Sequence, residues 1–339
     1  MRLADLGWNA GFAHDFEQWA TKADVRPGRV AIEFNYLYRV YVEGKELEAA
    51  ISGRLKHQAA NRSQLPAVGD WVVVRKRPGE HRGAIVAVLP RRSHFSRKAA
   101  GSVADEQVVA ANVNVIFIVM SLDADFSLRR VERYLLLARE SGAAPVVLLT
   151  KPDLCDDVAG REAEVAALAG EAPVHVVSPK LDQGIERVAA YLSPGRTGAL
   201  LGSSGVGKST IINRLIGRDV RKTREVREAD SKGRHTTTHR ELILLPNGGL
   251  IIDTPGMREL QLWDVGEAVR ETFEDIEALA PECHFSDCRH RDEPKCAVKA
   301  AVAEGALAAE RVASYHKLQD ELALLRRGRQ EREREPRGR

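Results

Sequence analysis

The chain has little that would place it in a membrane or in an oxidising compartment. No stretch of its 339 residues approaches the ~20 consecutive apolar residues that a spanning helix needs. The first residues, MRLADLGWNAGFAHDF, lack the apolar core of a signal peptide. Only four cysteines are present, and three of them fall between positions 283 and 296, which favours a metal site over a disulfide framework. We therefore expect a cytoplasmic protein that does not contact a membrane.

Strong net charge is also missing, because the formal charge is only +3. The charge is uneven, however: between Arg75 and Lys98, eight Lys or Arg residues accompany a single acid, Glu80. Taken alone, such a run is better explained by a solvated face than by a binding surface. The length favours two or three domains.

The order of sequence patterns predicts a multidomain protein with a β-barrel, a central α/β domain and a C-terminal helical domain. The predicted limits are an N-terminal extension over residues 1–28, the barrel over 29–98, the α/β domain over 99–264 and the helical domain over 265–339. Short β-rich stretches separated by turn residues predict the barrel, with strands at Val30–Phe34, Tyr36–Val42, Trp71–Val74 and Ala84–Leu89. An oligonucleotide-binding (OB) barrel fits their size and basic charge, and an SH3-like barrel fits the composition nearly as well. Residues 98–106 are predicted to be a linker.

Alternating strand and helix patterns predict a doubly wound sheet in the central domain. Its predicted strands are Val113–Met120, Pro145–Leu149, Val174–Val177, Thr197–Leu201 and Gly249–Ile252, and its helices are Leu128–Glu140, Ile185–Leu192 and Ser209–Ile216. Further on, Ala306–Leu325 is predicted to be a long helix, followed by a charged and disordered tail.

The segment that begins at Gly202 fits the pattern G-x-x-x-x-G-K-[ST] of a nucleotide-phosphate loop, and it lies between a predicted strand and a predicted helix. Its backbone amides would face the phosphates. Lys208 would reach the β- and γ-phosphates, and Ser209 would hold Mg²⁺. The predicted nucleotide-binding residues here are Gly202, Ser203, Ser204, Gly205, Val206, Gly207, Lys208, Ser209 and Thr210.

Two further segments favour guanine as the base. Thr150-Lys151-Pro152-Asp153 follows a predicted strand and resembles the [NT]-K-x-D element of GTPases. A carboxylate at Asp153 can accept from both N1–H and N2–H of guanine, whereas adenine offers no such pair. The Lys151 stem can pack on the base, and Ser178 matches a further base loop that would reach O6 through a backbone N–H.

The segment from Asp253 to Gly256 fits the D-x-x-G switch, with Asp253 holding Mg²⁺ through water and the Gly256 amide meeting the γ-phosphate. In ordinary GTPases the phosphate loop comes first and the base loops come last. Here Asp153 and Ser178 precede Gly202, so the order predicts a circularly permuted GTPase.

The usual water-orienting glutamine after D-x-x-G is replaced by Met257, so another group must orient the attacking water. The expected first switch contains the run GRHTTT, in which spacing favours Thr237 as a Mg²⁺ ligand. His235 can position or deprotonate water and is the predicted catalytic residue.

Four residues form the pattern C-x4-C-x-H-x5-C, namely Cys283, Cys288, His290 and Cys296. Three thiolates and one imidazole make a closed, structural zinc set. His284 competes for the imidazole position, and we prefer His290 because one residue between Cys288 and His290 lets the chain turn.

The barrel, the permuted motifs GSSGVGKS, GRHTTT and DTPG, and the C-terminal cysteine cluster together resemble the RsgA (YjeQ or EngC) family of small-ribosomal-subunit biogenesis GTPases. The resemblance covers nearly the whole chain. It implies an OB-fold, GTP hydrolysis stimulated by the small subunit, a role in late subunit maturation, and His235 as the catalytic residue. The implied partners are the small subunit with its rRNA and GTP or GDP, with Mg²⁺ and one Zn²⁺ per monomeric chain.

Two other readings remain at this point. One is a GTP-switched RNA-binding assembly factor with negligible catalysis, and the other is a metabolic P-loop enzyme. Binding to ribosomal subunits would distinguish a metabolic enzyme from the other two functions. Single-turnover hydrolysis would distinguish the GTP-switched factor from a GTPase.

Overall fold

The computed structural model describes residues 1–98, 106–217, 240–253 and 273–319, apart from residues 23, 35, 77, 78, 80, 81, 204, 286, 310, 314, 317 and 318. Among the described helices, none has both the length and the apolar character needed to cross a bilayer.

An N-terminal helix, α1 (Ala10–Ala20), precedes the barrel and is not among the elements predicted from the sequence. Asn9 caps it, because its side-chain oxygen accepts hydrogen bonds from the amides of Gly11 (2.9 Å) and Phe12 (3.2 Å). Phe12 of the helix and Trp8 just before it pack on the barrel residue Trp71, with ring centroids 5.7 and 4.7 Å from the Trp71 ring.

Five strands close into the predicted barrel: β1 (Val25–Phe34), β2 (Leu37–Val42), β3 (Lys45–Ile51), β4 (Trp71–Arg75) and β5 (Gly83–Val88). They are joined in the order β1-β2-β3-β5-β4, and β4 pairs back with β1. The β3–β5 pair is parallel, and helix α2 (Gly53–Gln58) connects β3 to β4. Small and branched apolar side chains fill the interior, so the barrel is a packed core.

Two strands of the barrel differ from the predictions. β1 begins at Val25, five residues before its predicted start at Val30, and runs through Pro27-Gly28. Gly28 is needed there because a Cβ would come within 2.5 Å of the Val40 side chain. β3 was not predicted, because its sequence KELEAAI has few of the branched residues typical of strands.

A hairpin of β6 (His94–Lys98) and β7 (Glu106–Ala111) leads into the α/β domain, and residues 99–105 of the predicted linker lie outside the described residues. The domain contains β8 (Val115–Ser121), β9 (Ala144–Thr150), β10 (Val174–Val177), β11 (Thr197–Leu201), β12 (Glu241–Leu244) and β13 (Leu250–Asp253). These strands lie in the order β10-β9-β8-β11-β13-β12. All neighbouring pairs are parallel except β12–β13.

Helices cover both faces of this sheet, which confirms the doubly wound architecture. α3 (Leu128–Ser141) and α4 (Val158–Ala169) pack on one face, and α5 (Ile185–Ala190) and α6 (Lys208–Ile216) pack on the other. Successive β8 residues alternate between the two cores: Ile116 and Ile118 belong to the first, Val115 and Phe117 to the second. β8 is therefore apolar throughout, as the sequence indicated.

The C-terminal region contains α7 (Glu274–Leu279) and α8 (Ala297–Ala303) around the cysteine cluster. The predicted start of a long helix at Ala306 is wrong. Gly305 is left-handed (φ +75°), and the Ala306 amide donates to the Ala301 carbonyl at 2.9 Å, which ends α8 with a turn. The described residues from 309 to 319 are helical, and residues 320–325 of the prediction lie outside the described residues.

A buried guanidinium joins the N-terminal segment, the barrel and the α/β domain. Arg29 of β1 donates to the carbonyl oxygens of Leu6, Gly69 (3.2 Å) and Asn112 (3.0 Å), and it lies 5.7 Å from the Trp71 ring centroid. Burial lowers the pKa of Arg29 to about 9, and the three acceptors satisfy the charge that remains at neutral pH. All three nitrogens of the Arg29 guanidinium therefore have a carbonyl partner at this junction, whereas the buried Trp71 Nε1 has no hydrogen-bond partner among the described residues.

Candidate functional site

The parallel strands carry the predicted nucleotide-binding segments to one edge of the sheet. Thr150 ends β9, Leu201 ends β11 immediately before the phosphate loop, and Asp253 ends β13. Because parallel strands share one carboxyl edge, the base loops lie on one side of β8 and the phosphate elements on the other. The permuted chain order thus produces an ordinary spatial order of motifs.

The phosphate loop leads directly into α6, which begins at Lys208, one residue before its predicted start. Gly205 (φ +78°) and Gly207 (φ +104°) are left-handed, a conformation that glycine adopts without strain. The Lys208 Nζ donates to the carbonyl oxygens of Gly202 (2.7 Å) and Ser203 (2.5 Å), so the ammonium folds back over its own loop. Ser209 and Thr210 are exposed in the first turn of the helix.

A hydroxyl connects the first base loop to the phosphate loop. Thr150 is buried, and its Oγ1 donates to the Val206 carbonyl at 2.6 Å, with the Met120 carbonyl 3.3 Å away. Threonine at this position therefore supplies a direct tie between the loops. After it, Lys151 is left-handed (φ +57°), and Asp153 is exposed in a short 3₁₀ turn with its carboxylate open to a ligand.

The Lys151 ammonium lies against a carboxylate that sequence reasoning missed. Its Nζ is 2.7 Å from Asp123 Oδ2, just beyond the end of β8. The hydrogen bond from Lys151, together with those from Ser121 and the Asp125 amide, lowers the pKa of Asp123 to about 2. Asp123 therefore stays ionised and holds the Lys151 stem in place. A polar residue two positions past a buried strand was the available signal.

The second base loop is a closed turn after β10. Ser178 is buried and exchanges backbone hydrogen bonds with Gln183, with its own amide donating at 2.9 Å. The Leu181 amide donates to the Ser178 carbonyl at 3.0 Å, and Pro179 has no amide proton. Among the described residues, no acceptor faces the Lys180 amide.

An arginine from α6 holds this loop and was not among the predicted residues. Arg214 Nε donates to the Pro179 carbonyl at 2.9 Å, and its Nη2 donates to the Lys180 carbonyl at 3.1 Å. The carboxylate of Asp182 lies 3.7 Å from Arg214 Nε. One helix therefore starts at the phosphate loop and, six residues later, contacts a base loop.

Four predicted site residues, Ser204, His235, Thr237 and Gly256, lie outside the described residues, as does Met257. The first switch and most of the D-x-x-G segment are included in this set, so the assignments of catalysis and of Mg²⁺ binding to them stay predictions. Of the D-x-x-G segment the structure describes Asp253, which is half-buried at the end of β13.

The four predicted metal ligands come together in the C-terminal region. The ligand atoms of Cys283, Cys288, His290 and Cys296 all lie within 4.8 Å of one another, whereas His284 is exposed and outside the group. The Sγ atoms of Cys283 and Cys296 are 3.8 Å apart, and His290 Nδ1 is 3.5 and 3.4 Å from them.

These distances fit a tetrahedral metal ion. Bonds of about 2.3 Å to sulfur and 2.0 Å to nitrogen place tetrahedral ligands about 3.8 Å (S–S) and 3.5 Å (N–S) apart. Cys283, His290 and Cys296 are therefore already at the spacing that one metal ion requires, and Cys288 lies within 4.8 Å of them as the fourth ligand. His290 and Cys296 are buried and leave no open position for a substrate, as in a structural site.

The cysteine cluster is attached to the α/β domain through Arg311. This guanidinium contacts Asp275 on α7 and Glu132 Oε1 (2.9 Å) on α3, and it stacks 5.0 Å from the Phe273 ring centroid. Glu132 is buried, so the contact joins two domains by a charge pair that is largely removed from water.

Comparison with known proteins agrees with this architecture. The model of the family described as RsgA GTPase matches residues 88–263. The small ribosomal subunit biogenesis GTPase RsgA of Opitutus terrae is 51% identical over 336 residues, covering 96% of this chain and 91% of the relative. The crystal structure of YjeQ from Thermotoga maritima is 28% identical with a TM-score of 0.63, covering 88% of this chain and 99% of that one. YloQ, a circularly permuted GTPase of known structure, is 25% identical with a TM-score of 0.62, covering 94% and 99%.

Four findings agree on the family of this chain. The sheet is permuted, the barrel is closed and five-stranded, a Cys3His cluster is present, and relatives match almost the whole chain. The chain is a circularly permuted GTPase and belongs to the RsgA GTPase family.

Proposed function

We propose that this GTPase binds the small ribosomal subunit, acts in its late maturation and hydrolyses GTP faster when bound to it. The observation that carries the proposal is the attachment of a permuted nucleotide site, on one continuous sheet, to a basic barrel. The name of the relative from Opitutus terrae supports the ribosomal role. The proposed domain limits remain residues 1–28, 29–98, 99–264 and 265–339.

The proposed nucleotide site uses the residues at the carboxyl edge of the sheet. The phosphate-loop amides and Lys208 bind the phosphates, and releasing Lys208 from its two carbonyls frees it for the nucleotide. Asp153 accepts from guanine N1–H and N2–H. Since the Ser178 amide is used inside its loop, the Lys180 amide is the proposed donor to O6.

Mg²⁺ would be held by Ser209 and Thr237, with Asp253 acting through water, and it would neutralise charge on the phosphates. His235 would orient the attacking water in place of a glutamine. Zn²⁺ is the proposed occupant of the cysteine cluster, because three sulfur ligands and one nitrogen in tetrahedral positions are typical of zinc.

The proposed rRNA surface is more restricted than the basic sequence run. Arg82, Arg91 and Arg92 of that run are paired with Glu48, Asp70 and Asp15. A groove of about 710 Å³ between α1, α2 and β5 instead gathers Lys22, Arg54 and Arg75 beside Trp19. Cations next to an aromatic ring suit a phosphate backbone with its bases, and this supports RNA as the ligand.

The direct test measures single-turnover GTP hydrolysis with and without small subunits, for the wild type and for His235→Ala. We expect the subunit to stimulate the wild type, and His235→Ala to lose roughly 10²–10⁴ in stimulated rate while its GTP affinity changes little. If small subunits did not stimulate hydrolysis by the wild type, the result would favour a GTP-switched binding factor instead. Full stimulation of His235→Ala would move catalysis to another group.

Cosedimentation with small subunits at increasing salt tests the groove. Arg54→Ser with Arg75→Ser should weaken binding and flatten its salt dependence, because fewer counterions are released. The charge-matched control is Arg129→Ser with Arg187→Ser, two exposed arginines on α3 and α5. If the two double variants weakened subunit binding equally, the groove would not be the rRNA surface.

A further inference from the structure

The backbone of the loop from Ser178 to Gln183 is held partly by its own hydrogen bonds and partly by one side chain from outside the loop, Arg214. Its two ends are joined by the Ser178–Gln183 hydrogen bonds, of 2.9 and 3.0 Å, and it includes Asp182 in a left-handed conformation (φ +62°). These bonds close the neck of the loop but leave the Pro179–Lys180 peptide plane at its tip unbound by the loop itself. A peptide plane held only by its neighbours can rotate.

Arg214 holds this plane from outside the loop. Its Nε and Nη2 donate to two consecutive carbonyl oxygens, those of Pro179 and Lys180. The guanidinium is planar and rigid, so two donors in a fixed fork set the position of both carbonyls together. Asp182 Oδ1, 3.7 Å from Nε, adds an opposite charge on the same side.

The direction of the Lys180 amide follows from this contact. The described peptide bonds are all trans, and in a trans peptide the carbonyl and the next amide proton point in opposite directions. Holding the Pro179 carbonyl toward α6 therefore turns the Lys180 N–H away from α6. Proline at 179 has no amide proton, so of these two residues at the tip only Lys180 can donate from its backbone.

We propose that Arg214 is a positioning residue for base specificity, which fixes the Lys180 amide as the hydrogen-bond donor to guanine O6. The inference rests on the guanine site proposed above and adds to it the side chain that orients the donor. It also links the two ends of the nucleotide, because Arg214 and Lys208 share one helix.

The test compares three nucleotides by calorimetric titration: GDP, 6-thio-GDP, whose sulfur is a poor acceptor, and IDP, which lacks the N2 amino group. Arg214→Met should weaken GDP binding about tenfold, the effect of one net hydrogen bond. Binding of 6-thio-GDP should stay nearly unchanged, so that the preference for GDP over 6-thio-GDP collapses. The preference for GDP over IDP should persist, because Asp153 reads N2.

Arg214→Lys keeps the charge, but a lysine ammonium cannot hold both carbonyls in a fixed fork. We therefore expect a GDP affinity between those of the wild type and Arg214→Met. Arg161→Met is the matched control, an arginine on α4 that pairs with Glu164 within its helix and lies 4.9 Å from the Phe126 ring centroid. Thermal denaturation of each variant reports on folding. An equal loss for GDP and 6-thio-GDP would show a merely structural role and overturn the proposal, as would full retention of both affinities.

Failure of the underlying guanine site has a different signature. A wild type that binds ADP as tightly as GDP, or an Asp153→Asn variant that keeps the GDP preference, would overturn the base assignment itself. Loss of the GDP preference in Asp153→Asn with unchanged discrimination in Arg214→Met would overturn only the role of Arg214.

Discussion

The Thr150 hydroxyl donates to the Val206 carbonyl across 2.6 Å, between residues 56 positions apart in the chain. It joins the loop that would bind the base to the loop that would bind the phosphates. Nucleotide affinity depends on both loops holding their relative positions, so this one hydrogen bond has measurable consequences.

Replacing Thr150 with Val keeps its shape and removes the donor. The Val206 carbonyl is then left without this partner, and we expect a loss of about 1–3 kcal/mol in the free energy of unfolding together with weaker GDP binding. Urea denaturation and calorimetric titration measure the two effects.

Thr197→Val is the matched control for this substitution. Thr197 is buried, and within the described part of the chain its Oγ1 has no hydrogen-bond partner, so removing the hydroxyl should be neutral or stabilising. If the two valine variants behaved alike, the Thr150–Val206 bond would have no special role.

The contact between Asp123 and Lys151 predicts a pH dependence. The pKa of Asp123 is depressed to about 2 in the folded protein and is about 3.9 in an unfolded chain. Its contribution to stability is therefore complete above about pH 4 and is lost as the pH falls from about 4 to about 2. Asp123→Asn should be destabilising at pH 5, and its difference from the wild type should shrink toward pH 2.

Urea denaturation between pH 5 and pH 2.5 measures this difference. Lys151→Met provides the second arm, because without the ammonium, the largest cause of the depressed pKa, the effect of Asp123→Asn should depend less on pH. A smaller slope in the Lys151→Met background would show that the lysine depresses the pKa of Asp123, whereas an unchanged slope would contradict the assignment.

The cysteine cluster predicts metal-dependent folding of the C-terminal region. Elemental analysis should find about one zinc per chain, because the four ligands form one closed tetrahedral set. Cys288→Ala should lose the metal and make the C-terminal region sensitive to protease while GDP binding remains, because metal binding and local folding are coupled.

Cys155→Ala is the control for this experiment, since Cys155 lies outside the ligand group. It should keep both the metal and the protease resistance. A metal-free wild type with an intact C-terminal region would contradict the prediction.

Asp70 and Arg91 form a buried ion pair whose two parallel hydrogen bonds measure 2.8 and 2.7 Å. The Asp70 side chain is fully buried, so Arg91→Met should cost about 3–5 kcal/mol in the free energy of unfolding, because an unpaired carboxylate remains inside. Arg82→Met, which breaks an exposed pair with Glu48, should cost less than about 1 kcal/mol. Equal losses in urea denaturation would contradict this account of burial.

The sequence was most informative where function restricts residue types locally. The phosphate loop, the base loop at Asp153 and the Cys3His set each occupy a short stretch with fixed spacing, and the placement of the two loops on strand ends followed from periodicity. The residues that sequence reasoning missed act over long separations. Asp123 acts on Lys151, Arg214 on Pro179, and Arg29 on Asn112, and no local pattern marks such partners. The strand β3 was missed for another reason: barrel closure, and not its own residues, makes it a strand.

The single bridge between Ile32 of β1 and Glu241 of β12 has a consequence for solubility. Without the barrel, β12 would be an open edge, whose unpaired backbone groups form a template for pairing with other chains. The barrel pairs with that edge at Glu241, where β12 begins, and β10, four residues long, lies at the opposite end of the described sheet. A fragment that begins after the barrel would expose β12 and self-associate. We therefore expect the barrel to limit self-association of the GTPase domain, whether or not it also binds RNA.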